Sequence, residues 1–140
     1  TRSASTRMSP VPATFTSDAA LFFYWTDLRD YGPNEFAEYR TLGTAPGRVF
    51  NLYFRNRLFS NACGTDAVNV MISVHESSGL VKATYSGMTG CSRMRGAGAT
   101  LGFQTANLPT VGRKAFMVGT NAEVLDDNAS RQTMSFHPPN

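Results

Sequence analysis

The sequence predicts an all-β fold: a single antiparallel β-sandwich, jelly-roll-like in its connections and stapled by one disulfide. Three observations predict it. Apolar residues alternate with polar ones over short runs, and no long stretch repeats them at helical spacing. Turn chemistry rich in Gly, Pro, Asn and Asp returns after roughly every 8 to 12 residues, the rhythm of short strands joined by tight connections. The chain's two cysteines, Cys63 and Cys91, flank a hairpin. With 140 residues, 41% of them hydrophobic and 11% aromatic, the chain suits one domain with one core.

Residues 1–13 are rich in Ser, Thr, Pro and Arg and read as an extended arm. Residues 14–136 form the sandwich, and 137–140 form a tail whose His137-Pro-Pro suits an exit into a linker. The first strand is expected over Phe15 to Trp25, in an aromatic run too continuous to show alternation. The stretch Thr26 to Asn34 is turn chemistry throughout. Glu35 to Leu42 fits either a helical turn, through Phe36, Tyr39 and Arg40, or a short strand carrying Ala37, Tyr39 and Thr41 on one side. Arg48 to Arg57 is a strong strand, with Phe50, Leu52 and Phe54 on one face and Val49, Asn51, Tyr53 and Arg55 on the other.

The hairpin follows. Matching its apolar faces sets Val74 against Val81, Ile72 against Ala83 and Val70 against Tyr85. Gly79 falls where the backbone turns left-handed after a type I turn. The same register brings Cys63 within about one residue of Cys91, and nearby glycines supply slack for a bulge, so a disulfide is expected. Ser92 to Gly98 reads as a flexible connector. Thr100 to Gln104 is a short strand burying Leu101 and Phe103, Ala115 to Val118 is another, and Gln132 to Phe136 closes the fold with Met134 and Phe136 inward.

The chemistry-bearing residues give no catalytic constellation. The two histidines, His75 and His137, lie at a hairpin turn and in the tail, and no Gly-x-Ser-x-Gly elbow is present, so the chain is not expected to be an enzyme. With no CxxC, Cys63 and Cys91 suit a structural bridge better than zinc or redox work, which implies an oxidising compartment. No cofactor is expected. Calcium is the one metal for which oxygen ligands cluster, at Asp27, Asp30 and Asn34 or at Asp126, Asp127 and Asn128, although turn-forming Asx residues explain both groups. Asn128-Ala-Ser130 is a formal N-glycosylation acceptor. A net charge of +3 and pI near 9.1 are mild, and the basic pairs Arg55/Arg57, Arg93/Arg95 and Arg113/Lys114 are scattered, which argues against nucleic acid as a partner. The apolar run Ala19 to Trp25 is far short of the roughly 20 residues a spanning helix needs, so no membrane insertion is expected. The start at Thr1, without a signal-peptide pattern, suits a processed form or a domain of something longer.

Three stretches occur in an order shared with a known family: Phe23-Tyr-Trp-Thr-Asp-Leu28; Tyr39-Arg-Thr-Leu-Gly-Thr-Ala-Pro-Gly-Arg-Val-Phe-Asn-Leu-Tyr-Phe54; and the hairpin Val70 to Tyr85 followed by Ala99-Thr-Leu-Gly-Phe-Gln104. Over roughly residues 20 to 136 the chain resembles the NIDO-like β-sandwich domains of secreted and surface proteins. Family members usually carry further strands before the Trp-containing one. Here only the Ser-rich arm precedes it, so the resemblance implies an open edge or groove that another strand would complete. The function expected is a non-enzymatic extracellular structural or adhesion module, with other chains or domains of an assembly as partners. A lectin-like carbohydrate-binding domain is the alternative, with glycans as ligands on a surface of Tyr24, Trp25, Asp27, Asp30, Tyr31 and Asn34; core burial of Trp25 is the competing reading. A jelly-roll capsid or coat subunit with a basic arm at Arg2 and Arg7 stands third.

Overall fold

A computed structural model of the chain describes residues 19–26, 28–29, 36–58, 67–88, 91–97, 99–104, 115–120 and 131–137. Among these run strands β1 (Ala20–Trp25), β2 (Leu28–Arg29), β3 (Phe36–Leu42), β4 (Val49–Leu58), β5 (Ala67–His75), β6 (Val81–Ser86), β7 (Thr100–Gln104), β8 (Ala115–Thr120) and β9 (Gln132–Phe136). A short 3₁₀ turn spans Ser92–Arg95. The strands make two antiparallel sheets, a three-stranded sheet in the order β1-β7-β8 and a six-stranded sheet in the order β2-β4-β5-β6-β9, with β3 lying beside β4 on the same edge as β2. The fold is an all-β sandwich, as the alternation predicts.

Period-two alternation decides which face of the six-stranded sheet is the core. On β5, Val68, Val70 and Ile72 are buried; opposite them on β6 stand Ala83 and Tyr85, and on β4 Leu52 and Phe54. The register of the central hairpin is the one the apolar pattern sets, with Val70 opposite Tyr85, Ile72 opposite Ala83 and Val74 opposite Val81. Gly79 takes φ +64, and its N–H donates to the His75 carbonyl at 2.9 Å, closing the turn.

Two kinds of contact join the sheets. Phe136 of β9 receives the rings of Phe23 (β1) and Phe103 (β7) edge-on, with centroids 6.0 and 6.1 Å away. The Tyr85 hydroxyl donates to the Phe23 carbonyl at 2.5 Å, which satisfies a β1 acceptor from the opposite sheet.

The aromatic run resolves into a β-bulge. The pairing of β1 with β7 shifts between Phe22 and Trp25, so that both Phe23 and Tyr24 pack against the core while Phe22 and Trp25 stack on each other at 5.1 Å. The described strand begins at Ala20, and residues 15–18 lie outside the described residues. The ambiguous stretch before Leu42 is a strand: β3 pairs with β4 without interruption from Phe36 opposite Arg55 to Leu42 opposite Val49.

Residues 92–97, the described part of the Ser92–Gly98 stretch, differ from the flexible connector expected. They open with the 3₁₀ turn, whose Met94 is fully buried and whose Gly96, at φ +103, donates its N–H to the Arg93 carbonyl. Arg93 and Arg95 both belong to this turn.

Candidate functional site

The predicted ligand surface divides once it is placed on the fold. Tyr24 is a core side chain, 5% exposed, whose hydroxyl donates to the Arg93 carbonyl. Burial pushes its phenol well above the usual tyrosine range, and the same desolvation, with Tyr24 adding to it, raises Tyr85. Both are neutral structural hydroxyls. Trp25 is half-buried and stacked on Phe22, across the bulge from Tyr24, so the two do not share a platform. Asp27, Asp30, Tyr31 and Asn34 lie outside the described residues, as do Cys63, Asp126, Asp127, Asn128, Arg113, Lys114 and the arm with Arg2 and Arg7.

Cys91 is half-buried, packs against the core and precedes the 3₁₀ turn, where its carbonyl accepts the Met94 N–H at 3.0 Å. The described β6 ends at Ser86, and Gly87 turns away at φ +62, so the hairpin ladder does not itself run on to Cys91. The histidines sit where the sequence puts them: His75 closes the hairpin by donating its N–H to the Leu80 carbonyl, and His137 is exposed after β9. Among the described residues no group of three or more His, Cys, Asp or Glu side chains stands ready to hold a metal ion. No described helix is long and apolar enough to cross a membrane.

The surface that stands out is one the sequence does not single out. The core face of the six-stranded sheet continues toward β3, beyond the residues packed in the core. Phe50 lies directly opposite Val74, and both are more than a third exposed although they point the same way as buried Ile72 and Val70. Tyr39 on β3 points the same way, is 78% exposed and stacks on Phe50 with centroids 6.1 Å apart. The three make an exposed apolar strip that runs from the edge strand β3 across β4 to β5. Contiguous apolar surface of this kind is how interaction faces present themselves.

The loop beside the strip is held firmly. Gly43 turns the chain out of β3 at φ +84, the Ala45–Pro46 peptide is cis, and the Gly47 N–H donates to the Thr44 carbonyl at 2.8 Å. Arg48 and Glu76 tie the start of β4 to the β5–β6 turn. The guanidinium donates to the two carboxylate oxygens at 2.9 and 2.5 Å, and the Glu76 N–H donates to the Arg48 carbonyl. Hydrogen bonding by Arg48 holds the Glu76 carboxyl below the usual carboxylate range.

The opposite face of the same sheet carries polar side chains that bond one another. Ser73 donates to Asn51 Oδ1 at 2.6 Å, Tyr53 to Asn69 Oδ1 at 3.3 Å, and Asn69 Nδ2 to the Ala67 and Ser86 carbonyls, while Thr84 and Thr133 share a hydrogen bond across β6 and β9. Groups that bond one another have less to offer a sugar or a phosphate.

Fold and surface together define a β-sandwich that carries an exposed apolar strip beside one edge of its six-stranded sheet. The chain belongs to the NIDO-related family, whose model matches residues 1–138. The match takes in the Ser- and Pro-rich arm as well as the stretch from residue 20 that carries the resemblance. No curated protein and no solved structure matches the chain.

Proposed function

We propose that this chain is a non-enzymatic extracellular structural or adhesion module, a rigid sandwich that contributes to a larger surface protein or assembly. The observation that carries the reading is the exposed strip of Tyr39, Phe50 and Val74 on the face that elsewhere packs Val68, Val70, Ile72, Ala83 and Tyr85 into the core. A monomer gains nothing from leaving a core face wet, whereas an assembly module gains a docking surface. Membership of the NIDO-related family supports an extracellular setting. We assign a Cys63–Cys91 disulfide to the same setting. It is supported by the absence of a free cysteine among the described residues, where Cys91 packs half-buried against the core.

The test is the non-denaturing mass of the protein from its natural source, without reductant. A mass well above 15.2 kDa that resolves into several copies or companion chains is expected. A single 15.2 kDa species retaining two free thiols would overturn both parts of the reading.

A further inference from the structure

The free edge of β3 offers a template that matches itself. β3 is seven residues long and, among the described residues, pairs on one side only, with β4. Exposed strand edges are normally blunted by brevity, proline, bulges or a concentration of like charge. β2 on the same edge is two residues long and β1 carries a bulge, whereas β3 has an unbroken register, no proline, and one charge of each sign.

The hydrogen-bond parity of the sheet shows which β3 groups face outward. The Glu76 N–H donates to the Arg48 carbonyl, so Arg48 points its main chain toward β5 and Val49 points toward β3. The turn bonds of His75 agree, because they direct His75 to β6 and hence Val74 to β4. Val49 faces Leu42, which therefore bonds to β4. Alternation then directs the N–H and C=O groups of Ala37, Tyr39 and Thr41 out of the sheet. All three residues are exposed.

We propose that β3 pairs antiparallel with β3 of a second copy of this chain across a two-fold axis at Tyr39, making one continuous sheet from two six-stranded ones. The sequence Phe36-Ala-Glu-Tyr-Arg-Thr-Leu42 is self-complementary in that register. Glu38 of each copy faces Arg40 of the other, Phe36 faces Leu42, and Ala37 faces Thr41. The outward main-chain groups of Ala37, Tyr39 and Thr41 meet their counterparts. Shifting the axis to Glu38 or to Arg40 sets two like charges directly opposite, which is unfavourable. An isologous contact of this kind closes after two copies and leaves no open end. It also carries the apolar strip across the axis, since Tyr39 meets Tyr39 with a Phe50 stacked behind each. The inference rests on the assembly reading and names one partner for it.

A seven-residue edge buries less than the ~1,200–2,000 Å² of a standard interface, so association is expected at micromolar concentrations. The test is sedimentation velocity on the purified full chain at low salt, from about 1 to about 500 µM. The expected result is a rise from 15.2 kDa toward twice that mass. Glu38→Arg and Arg40→Glu each set like charges across the axis and should weaken the dimer about tenfold or more, and E38R/R40E should restore it to within about threefold. Thr41→Pro removes an outward N–H without touching the β4 ladder and should leave a folded monomer. All three positions are exposed, and a thermal melt checks that each variant folds. A wild-type chain that stays at 15.2 kDa throughout overturns the pairing. So do single reversals that dimerise normally, or a double reversal that does not recover. A recombinant monomer beside a large natural-source assembly overturns self-pairing alone and leaves the assembly reading standing.

Discussion

The two buried phenols make alkaline pH a probe of the sandwich interior. Tyr24 and Tyr85 are 5% and 1% exposed, their hydroxyls donate to main-chain carbonyls, and desolvation raises both above the usual tyrosine value of 10. In the unfolded chain each ionises near pH 10, while in the folded chain each keeps its proton. Above that pH the unfolded state therefore binds fewer protons than the native state, and stability falls as pH rises. Below about pH 10 both states are protonated and the contribution is intact. Each tyrosine gives a slope of about 1.36 kcal/mol per pH unit, so the pair gives about 2.7 kcal/mol per unit. The full slope is reached only above pH 10, where the unfolded phenols are mostly ionised, so between pH 10 and pH 11.5 the loss is about 3 kcal/mol, a large share of the roughly 5–15 kcal/mol of an ordinary domain. The assay is a urea midpoint series from neutral pH upward, with phenolate absorbance followed in parallel. Tyr24→Phe and Tyr85→Phe should each remove about half the slope whatever they do to the neutral-pH midpoint. Ionisation of all five tyrosines near pH 10 with the sandwich still folded would refute the reasoning, and so would single variants whose midpoints fall in parallel with the wild type.

Four further outcomes are expected. Tyr85→Phe leaves the buried Phe23 carbonyl without its donor, at a cost of about 1–3 kcal/mol at neutral pH, which for a chain of this length lowers Tm by roughly 3–10 °C in calorimetry. Met94→Ala opens a cavity under the 3₁₀ turn and should cost about 2–5 kcal/mol in chemical denaturation, whereas a flexible connector would tolerate it. Gly43→Ala combines a left-handed φ of +84 with a Cβ placed 3.1 Å from the Gly47 carbonyl oxygen; a loss of about 1–2 kcal/mol is expected in a thermal melt. The proposed Cys63–Cys91 bridge would close a loop of about 27 intervening residues, so C63S/C91S should cost about 3–4 kcal/mol and abolish any effect of reductant on the midpoint.

The fold was legible where local pattern and pairing gave the same answer. Val70, Ile72 and Val74 can face Val81, Ala83 and Tyr85 in only one register, and Gly79 occupies the one turn position that favours glycine, so the central hairpin could be drawn before the structure. Glu35 to Leu42 was not decidable in the same way, because Phe36, Tyr39 and Arg40 also fit a helical turn; pairing with β4 along its whole length settles it. The run Phe22 to Trp25 hides its alternation because a bulge puts two successive residues on the core side. Met94 is a single apolar residue among polar and Gly-rich neighbours, so it carries no period, and only the 3₁₀ geometry brings it into the core.

The interaction strip was illegible for a different reason. Phe50, Leu52 and Phe54 are equivalent in sequence, three apolar residues on one strand face, and alternation assigns all of them to the core. Coverage depends on the breadth of the opposing layer, and among the described residues a three-stranded sheet faces a six-stranded one. Leu52 and Phe54 pack against the core cluster, while Phe50 and its neighbour Tyr39 remain wet. Two unfavourable features, an exposed aromatic strip and an unblunted strand edge, then coincide on the same flank of the same sheet. Separate partners could meet each, but a strand added beside β3 pairs the edge and sets its own side chains beside Tyr39, so that the apolar strip continues into the new strand instead of ending at the sheet's edge. A second β3 does so with its charges already matched. The oppositely charged Glu38 and Arg40, on the face away from Tyr39, are what distinguish this edge from a merely unprotected one.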